Sequence, residues 1–430
     1  MPNPVTKVRF SNGLQVHLKE IHTAPLVSHW VWYRVGSRNE KPGKTGISHW
    51  VEHMQFKGTP QYPNGDLDKA ISRQGGSWNA MTYLDWTTYY EKLPADHIDL
   101  ALRLEADRMI NSLYNSEEVE SERTVIISER EGKENEPIFR LDEAVQSAAF
   151  DHHPYRNEVI GDLQDLWKIT RSDLYEHYRR YYTPNNALIA LAGDFNTDKI
   201  LDRLTELYGD IPAGPEIDDD IANEAPLSEE RRVEVSGPGN TTYMRLAYRA
   251  PAAGSPDFFA FTVLDSLLSG PSGLMMSGGG LSNKTSRLYR ALVETQRSVS
   301  INGGLQATID PFLYMITAIV HPRSTSAAVL TAVDDEIKRL QEQLVEPTEI
   351  VRAIKQARAL FAYGSENISN QAFWLGFAEM FGGYDWFINY MQSLEQVTPQ
   401  DIQRIAQTYL QPSSRVAGTY LPTGEEEGAE

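Results

Sequence analysis

Two histidines and a glutamate lie within five consecutive residues near the N-terminus, at a spacing that suits metal-dependent hydrolysis. His49, Glu52 and His53 occupy positions i, i+3 and i+4, which share one face of an α-helix. Two imidazoles one turn apart can hold one zinc ion, and the glutamate can accept a proton from a metal-bound water. The order H-x-x-E-H reverses the commoner H-E-x-x-H. A histidine pair at this spacing also arises by chance among solvated or core residues, so the pattern is a hypothesis that needs context.

A zinc site of this kind needs a third protein ligand. The chain has no cysteine, so any zinc must be held by histidine, aspartate or glutamate. A predicted helix that starts at Ser116 carries Glu122 and Glu129, which are two turns apart and share a face. The same helix also carries Glu117, Glu118, Glu120 and Glu131. Spacing alone therefore favours a solvated acidic face, and the third ligand stays open at this point.

The flanking sequence predicts the elements that position these side chains. Residues 7–20 alternate apolar and polar side chains around Ser11-Asn12-Gly13, which predicts a β-hairpin. His17 falls on the polar side of that alternation, and we interpret it as a surface residue. The histidine helix is expected to end at residues 56–60. Further strands are predicted at 27–35, 77–82 and 86–93, and further helices at 66–74 and 96–113.

Composition limits the class of protein. The chain has 430 residues, 41% hydrophobic and 23% charged, which is typical of a globular protein of two to four domains. The net charge of -19 argues against nucleic acid and is compatible with a basic or neutral polypeptide substrate, although solubility explains it equally well. Neither a membrane span nor a signal peptide is recognisable in the sequence. We expect a cytoplasmic protein as written, or a periplasmic or secreted one if a leader was removed.

The second half of the chain repeats the first. Residues 164–173 and 392–401 share Gln, Leu, Thr and Asp at one constant offset, which also relates Tyr181 to Tyr409. This indicates two related domains rather than a solenoid, whose repeats are much shorter. The predicted organisation is a catalytic zinc-binding domain at 1–212, an acidic linker at 213–231, a second domain without the H-x-x-E-H motif at 232–422 and a disordered acidic tail at 423–430. The Gly- and Ser-rich residues 269–284 predict a flexible loop.

The segment from Gly46 to Thr59 resembles the signature of the M16 metallopeptidases, the family of pitrilysin, insulin-degrading enzyme and the mitochondrial processing peptidase. Other landmarks of that family follow in the same order, at residues 75–82, 125–129, 153–155 and 286–288. The resemblance covers essentially the whole chain. It implies an α+β fold with two related domains, each a mostly antiparallel β-sheet packed with α-helices.

The resemblance also implies a role for each candidate residue of the metal site. His49, His53 and Glu129 would bind one Zn2+ ion, and Glu52 would be the general base that deprotonates a zinc-activated water. Glu122 would support the site by a hydrogen bond to a histidine ligand, an arrangement that orients the imidazole. The implied activity is that of a zinc-dependent endopeptidase of the inverted H-x-x-E-H type, acting on peptides or unfolded polypeptide segments.

Substrate binding is where the sequence departs from the family pattern. Asn79 and Ala80 match the segment that pairs with an extended substrate by strand addition. Active single-chain members carry an Arg and a Tyr in the second domain, and those positions here hold Val293 and Ser300. In two-subunit members, a partner without zinc ligands can supply this pair. We therefore expect the catalytic subunit of a heterodimer with a homologous non-zinc subunit, or a homodimer. The alternative is a non-catalytic scaffold or peptide-binding subunit.

Overall fold

A computed structural model of the protein describes residues 4–217, 221, 223–270 and 283–424. Its strands are β1 (Thr6–Arg9), β2 (Gln15–Glu20), β3 (Leu26–Tyr33), β4 (Ser77–Thr82), β5 (Thr87–Pro94), β6 (Ala187–Gly193), β7 (Arg231–Gly237), β8 (Tyr243–Arg249), β9 (Ser298–Leu305), β10 (Leu313–Val320) and β11 (Arg415–Pro422). The hairpin predicted over 7–20 is confirmed, because β1 and β2 pair antiparallel.

The described helices are α1 (Ile47–Met54), α2 (Asp66–Arg73), α3 (Ile98–Asn111), α4 (Ser116–Glu134), α5 (Pro137–Ala149), α6 (Leu163–Lys168), α7 (Arg171–Tyr181), α8 (Thr197–Tyr208), α9 (Asp257–Leu268), α10 (Ser326–Glu342), α11 (Pro347–Tyr363), α12 (Ile368–Phe377), α13 (Tyr384–Glu395) and α14 (Pro399–Tyr409). The helices predicted in the first half, α1 to α4, lie close to their expected positions. Among the described helices, none combines the length and the apolar character that a bilayer span requires. Most of the predicted loop at 269–284, most of the acidic tail and part of the acidic linker lie outside the described residues.

The described strands form two sheets with the same internal order. The first sheet runs β1-β2-β6-β3-β5-β4 and the second runs β7-β11-β8-β10-β9. Without β1, the two orders correspond strand for strand, and in each sheet the pair β2–β6 or β7–β11 is parallel while the other neighbours are antiparallel. The predicted fold of two related, mostly antiparallel sheets packed with helices is confirmed.

The Thr and Asp residues shared by the sequence repeat cap the start of a helix in both halves. Thr170 precedes α7, and its side-chain oxygen accepts the backbone N–H of Asp173 while the Asp173 carboxylate accepts the backbone N–H of Thr170. Thr398 and Asp401 form the same reciprocal pair at the start of α14. Such a capping box satisfies backbone donors that the first helical turn leaves unpaired. A buried strand follows each helix, β6 in the first half and β11 in the second.

The chain forms two compact units that are not contiguous in sequence. Unit 1 is built from the described parts of Met1–Arg130, Asn157–Ile221 and Ser365–Tyr384, and unit 2 from those of Glu131–Arg156, Ala222–Gly364 and Asp385–Glu430. Unit 1 therefore includes α12 from the second half of the sequence, and unit 2 includes α5 from the first half. The predicted domain boundaries describe the sequence repeat and stay a prediction. The compact units divide the chain differently.

Helix α12 covers one face of the first sheet. Side chains of β3 alternate, so Val27 and Val31 enter the main core while Trp30 and Trp32 point to the opposite face. The ring of Phe373 on α12 lies 5.4 Å from both tryptophans, centroid to centroid. The interpretation of His17 as a surface residue is wrong, because α12 also covers this part of β2. His17 is only 4% exposed, and its Nδ1 lies 3.3 Å from the carbonyl oxygen of Leu375.

Gly376 allows this close packing, which leads to a prediction about stability. A Cβ at Gly376 would lie 2.0 Å from Nε1 of Trp32. Gly376→Ala is therefore expected to lower the free energy of unfolding by about 1–3 kcal/mol, because overpacking outweighs the helix propensity of alanine. Gly132→Ala on α4 is the control, because a Cβ there would meet nothing within 4 Å. This change should raise the free energy of unfolding by up to about 1 kcal/mol. Urea unfolding measures both variants, and an unchanged midpoint for Gly376→Ala would contradict the packing argument.

Candidate metal centre

The helix that carries the histidines is fixed at its N-terminus. Gly46 precedes α1 with a left-handed φ of 83°, and a Cβ there would lie 2.4 Å from the carbonyl oxygen of Ile160. The buried carboxylate of Glu40 accepts the backbone N–H groups of Gly46 and Ser48, each at 2.8 Å, and so satisfies donors that the helix start leaves unpaired. Burial raises the pKa of Glu40 to about 8, although these two hydrogen bonds act against the shift. The side chains that α1 buries in the core are Ile47, Trp50, Val51 and Met54.

The three predicted ligands come together at this helix. Nε2 of His49 and Nε2 of His53 each lie 3.8 Å from Oε2 of Glu129, which α4 supplies. Among the described residues, this is the one group of three or more histidine or acidic side chains with ligand atoms all within 4.8 Å of one another. Tetrahedral zinc with bonds of about 2.0–2.2 Å separates its ligand atoms by about 3.3–3.6 Å. The two imidazoles and one carboxylate therefore fit zinc after a slight contraction.

Glu122 orients one of the two imidazoles. Nδ1–H of His53 donates to Oε1 of Glu122 at 2.8 Å, which directs Nε2 of the same ring toward Glu129. Oε2 of Glu122 forms an ion pair with the ammonium of Lys57. Burial alone would raise the pKa of Glu122, but the hydrogen bonds from His53 and Lys57 outweigh it and lower that pKa. Burial lowers the pKa of His53, yet the hydrogen bond to Glu122 and the neighbouring carboxylates give a net rise. A carboxylate behind a ligating histidine fixes its tautomer and ring orientation.

Glu52 lies beside the ligands without joining them. Its carboxylate is nearly buried, and Oε2 accepts a hydrogen bond of 2.7 Å from the hydroxyl of Thr82. Burial raises the pKa of Glu52, while the hydrogen bond from Thr82 and the nearby His53 oppose the rise. A carboxylate made more basic by burial accepts a proton more readily than an exposed one. No sequence pattern predicted this contact of Thr82, although Thr82 ends both a predicted strand and the family landmark at residues 75–82.

The predicted substrate-binding residues lie on an open sheet edge. Asn79 and Ala80 belong to β4, whose one neighbour among the described strands is β5. The side-chain oxygen of Asn79 accepts the backbone N–H of Ala80 at 2.9 Å. Because Thr82 ends the same strand and contacts Glu52, this edge runs directly up to the candidate base. The positions of the missing Arg and Tyr lie in unit 2, where Val293 ends a short helical turn and Ser300 lies on β9.

Fold and site together define a class of protein: two repeated α+β units, one of them with a grouped pair of histidines and a glutamate, as in metallopeptidases. Comparison with protein families makes this specific. The family model described as Insulinase (Peptidase family M16) matches residues 15–163, and the model described as Peptidase M16 inactive domain matches residues 168–357. The chain belongs to peptidase family M16.

Relatives of nearly full length are named zinc proteases. The chain is similar to an uncharacterized zinc protease of Mycobacterium bovis, with 28% identity over 93% of this chain and 89% of that protein. It is similar to the zinc protease PqqE of Helicobacter pylori, with 27% identity over 94% of this chain and 89% of that protein. A crystal structure of a protease from Helicobacter pylori superimposes with a TM-score of 0.89 at 25% identity, covering 98% of this chain and all of that one.

Proposed function

We propose that this protein is a zinc-dependent endopeptidase that hydrolyses peptides or unfolded polypeptide segments. The observation that carries the proposal is the approach of His49, His53 and Glu129 on one side of α1, with Glu52 next to them. Relatives named zinc proteases support it. A zinc ion held by the three side chains would polarise a carbonyl group and lower the pKa of water.

The residues of the chain would divide the remaining work. Glu52 takes the proton of the attacking water at a carboxylate oxygen and passes it to the leaving amine, as a general base and then a general acid. The open edge of β4 at Asn79 and Ala80 binds the backbone of an extended peptide as an added strand. Strand addition uses main-chain hydrogen bonds, so it suits substrates that are already unfolded. Glu122 holds His53 in the orientation that ligation requires.

We further propose that the enzyme works with a second subunit. Val293 and Ser300 cannot grip a substrate as the expected Arg and Tyr would, so a homologous subunit without zinc ligands is the candidate source of that pair. A homodimer is the other arrangement. The test compares the purified chain alone with the chain plus a candidate partner, using one fluorogenic peptide. Cleavage by the chain alone at the rate of the mixture would overturn the partner proposal.

A non-catalytic scaffold or peptide-binding subunit is the second candidate, favoured by the same Val293 and Ser300. The deciding experiment measures bound zinc and cleavage of a fluorogenic peptide library, with and without candidate partners. About one zinc ion per chain together with cleavage supports the endopeptidase. Zinc without cleavage under either condition supports the scaffold.

The hydroxyl of Thr82 offers a separate test of the base. Thr82→Val removes the donor to Glu52 with almost no change in volume, so the carboxylate loses one fixed contact and its orientation. We expect kcat to fall about 10–100-fold, which is less than the roughly 10²–10⁴-fold that the base itself contributes, while bound zinc stays unchanged. Thr82→Ser should restore most of the rate.

The control for that variant is Thr88→Val. The hydroxyl of Thr88, on the neighbouring strand β5, donates to the carbonyl oxygen of Val31 at 2.9 Å. Thr88→Val should lower the free energy of unfolding by about 1 kcal/mol, because one buried hydrogen bond is lost. Its kcat should stay within about twofold of the wild type, because this hydroxyl donates to the backbone and not to the candidate base. Equal losses of kcat in Thr82→Val and Thr88→Val would refute a specific role for Thr82.

A further inference from the structure

Lys57 lies behind the candidate metal centre, where it contacts Glu122, the carboxylate that holds His53. The backbone continues as helical turns past α1, because the N–H of Phe56 bonds the carbonyl of His53 and the N–H of Lys57 bonds that of Met54. Lys57 follows His53 by four residues, and these i→i−3 turns stop at Gly58, which has a φ of 93°. The side chains of His53 and Lys57 reach the same carboxylate, Glu122 of α4.

The two side chains hold opposite oxygens of that carboxylate. His53 donates to Oε1, and the ammonium of Lys57 pairs with Oε2. Oε2 is shut off from solvent, and the Glu122 side chain as a whole is only 7% exposed. A carboxylate gripped at both oxygens cannot rotate about its terminal bond without losing a charged contact. Loss of the lysine would leave a buried anionic oxygen without its counter-charge, and an unpaired buried charge destabilises the arrangement that holds it.

We infer that Lys57 is a positioning residue for the zinc ligand His53 and acts through Glu122. It fixes the Glu122 carboxylate in the plane that receives Nδ1–H of His53, and thereby aims Nε2 of that ring at the metal position. The inference rests on the proposed function only in requiring zinc at His49, His53 and Glu129. It predicts an effect on zinc affinity that is independent of peptide cleavage.

The experiment measures zinc affinity of the full chain by competition with a chromophoric chelator at constant pH. Removing a group that supports a metal ligand costs about 10–100-fold in affinity, and Lys57 lies one contact further out. We therefore expect Lys57→Met to raise the zinc Kd about 3–30-fold. Lys57→Arg keeps the charge and should stay within about threefold of the wild type. Lys57→Gln is the second neutral variant, in case Lys57→Met does not fold.

A matched control and a double mutant separate this role from general stabilisation. Lys44 precedes α1 and pairs with Asp173 outside the site, so Lys44→Met should leave the zinc Kd within about twofold. In a Glu122→Gln background, Lys57→Met should raise the zinc Kd by less than about a further twofold, because the Glu122 carboxylate that links Lys57 to His53 is already gone. Contacts that act through a shared partner are non-additive in this way.

The outcomes decide between this inference and the proposed activity. An unchanged Kd in Lys57→Met, or an equal effect with and without Glu122, overturns the inference. The expected ranking of zinc affinities without any peptide cleavage overturns the endopeptidase proposal alone. Cleavage by the wild type with normal zinc affinity in Lys57→Met overturns the inference alone, and a wild-type chain that binds no zinc overturns both.

Discussion

Glu52→Gln is expected to leave zinc bound and to reduce peptide hydrolysis about a thousandfold. Glutamine has nearly the same shape, and its amide oxygen can still accept the hydrogen bond that Thr82 donates to Glu52. The amide cannot accept a proton, however, and general base catalysis contributes about 10²–10⁴-fold. Glu52 lies outside the group of ligand atoms, so metal content should stay near one ion per chain. Initial rates on a fluorogenic peptide and elemental analysis of the same sample measure both quantities.

A second carboxylate provides the control for this substitution. Glu118 is a half-buried residue of α4 that accepts a hydrogen bond from Asn64, and Glu118→Gln removes one carboxylate charge outside the group of candidate ligands. It should retain the wild-type rate within about twofold. If Glu52→Gln keeps more than a tenth of the wild-type rate, or loses its zinc, the assignment of Glu52 as the base is wrong.

Glu129→Ala is expected to abolish tight zinc binding, and with it hydrolysis. Three protein ligands are the usual number at a catalytic zinc site, and this variant leaves only His49 and His53. Loss of a residue that merely supports a ligand already costs about 10–100-fold in affinity, so loss of a ligand should raise the Kd more than about a hundredfold. Chelator competition measures the Kd, and addition of excess zinc should restore little of the rate.

The same helix supplies the comparison for Glu129. Glu131 is exposed and lies two residues further along α4, about 200° around the helix axis. Glu131→Ala should bind zinc as the wild type does. Stoichiometric, tight zinc in Glu129→Ala would mean that another group completes the site.

Local spacing predicts the helix that carries the two histidines, whereas the third ligand, Glu129, follows only from the resemblance to the M16 family. The i, i+3, i+4 pattern of His49, Glu52 and His53 is set within one turn, and α1 forms where the pattern predicts. The choice of Glu129 among the glutamates of α4 depends on how that helix packs against α1, which no spacing within α4 records. The contact from Thr82 to Glu52 likewise joins a strand end to a helix 30 residues away.

His17 shows a second limit of local patterns. Alternation in the hairpin correctly separates two faces of β2, and Val16 and Leu18 lie in the core. The pattern cannot show that the opposite face is also covered, because the covering helix α12 comes from a segment more than 350 residues later. Each half of the sequence also gives a segment to the other unit: residues 365–384 belong to unit 1 and residues 131–156 to unit 2. Because of this exchange of segments, domain boundaries drawn from the sequence repeat differ from those of the compact units.

This exchange of segments determines when unit 1 can finish folding during translation. The strands and the candidate metal-binding side chains of unit 1 are translated first, whereas residues 365–384 follow only after residues 222–364 of unit 2. Until then the tryptophan face of β3 has no helix to bury it, and domains generally fold as units once their chain is available. A nascent chain would therefore cover this face of the first sheet only after residues 365–384 have been made. Shorter nascent chains would leave this apolar face exposed, and exposed apolar surface is what chaperones bind.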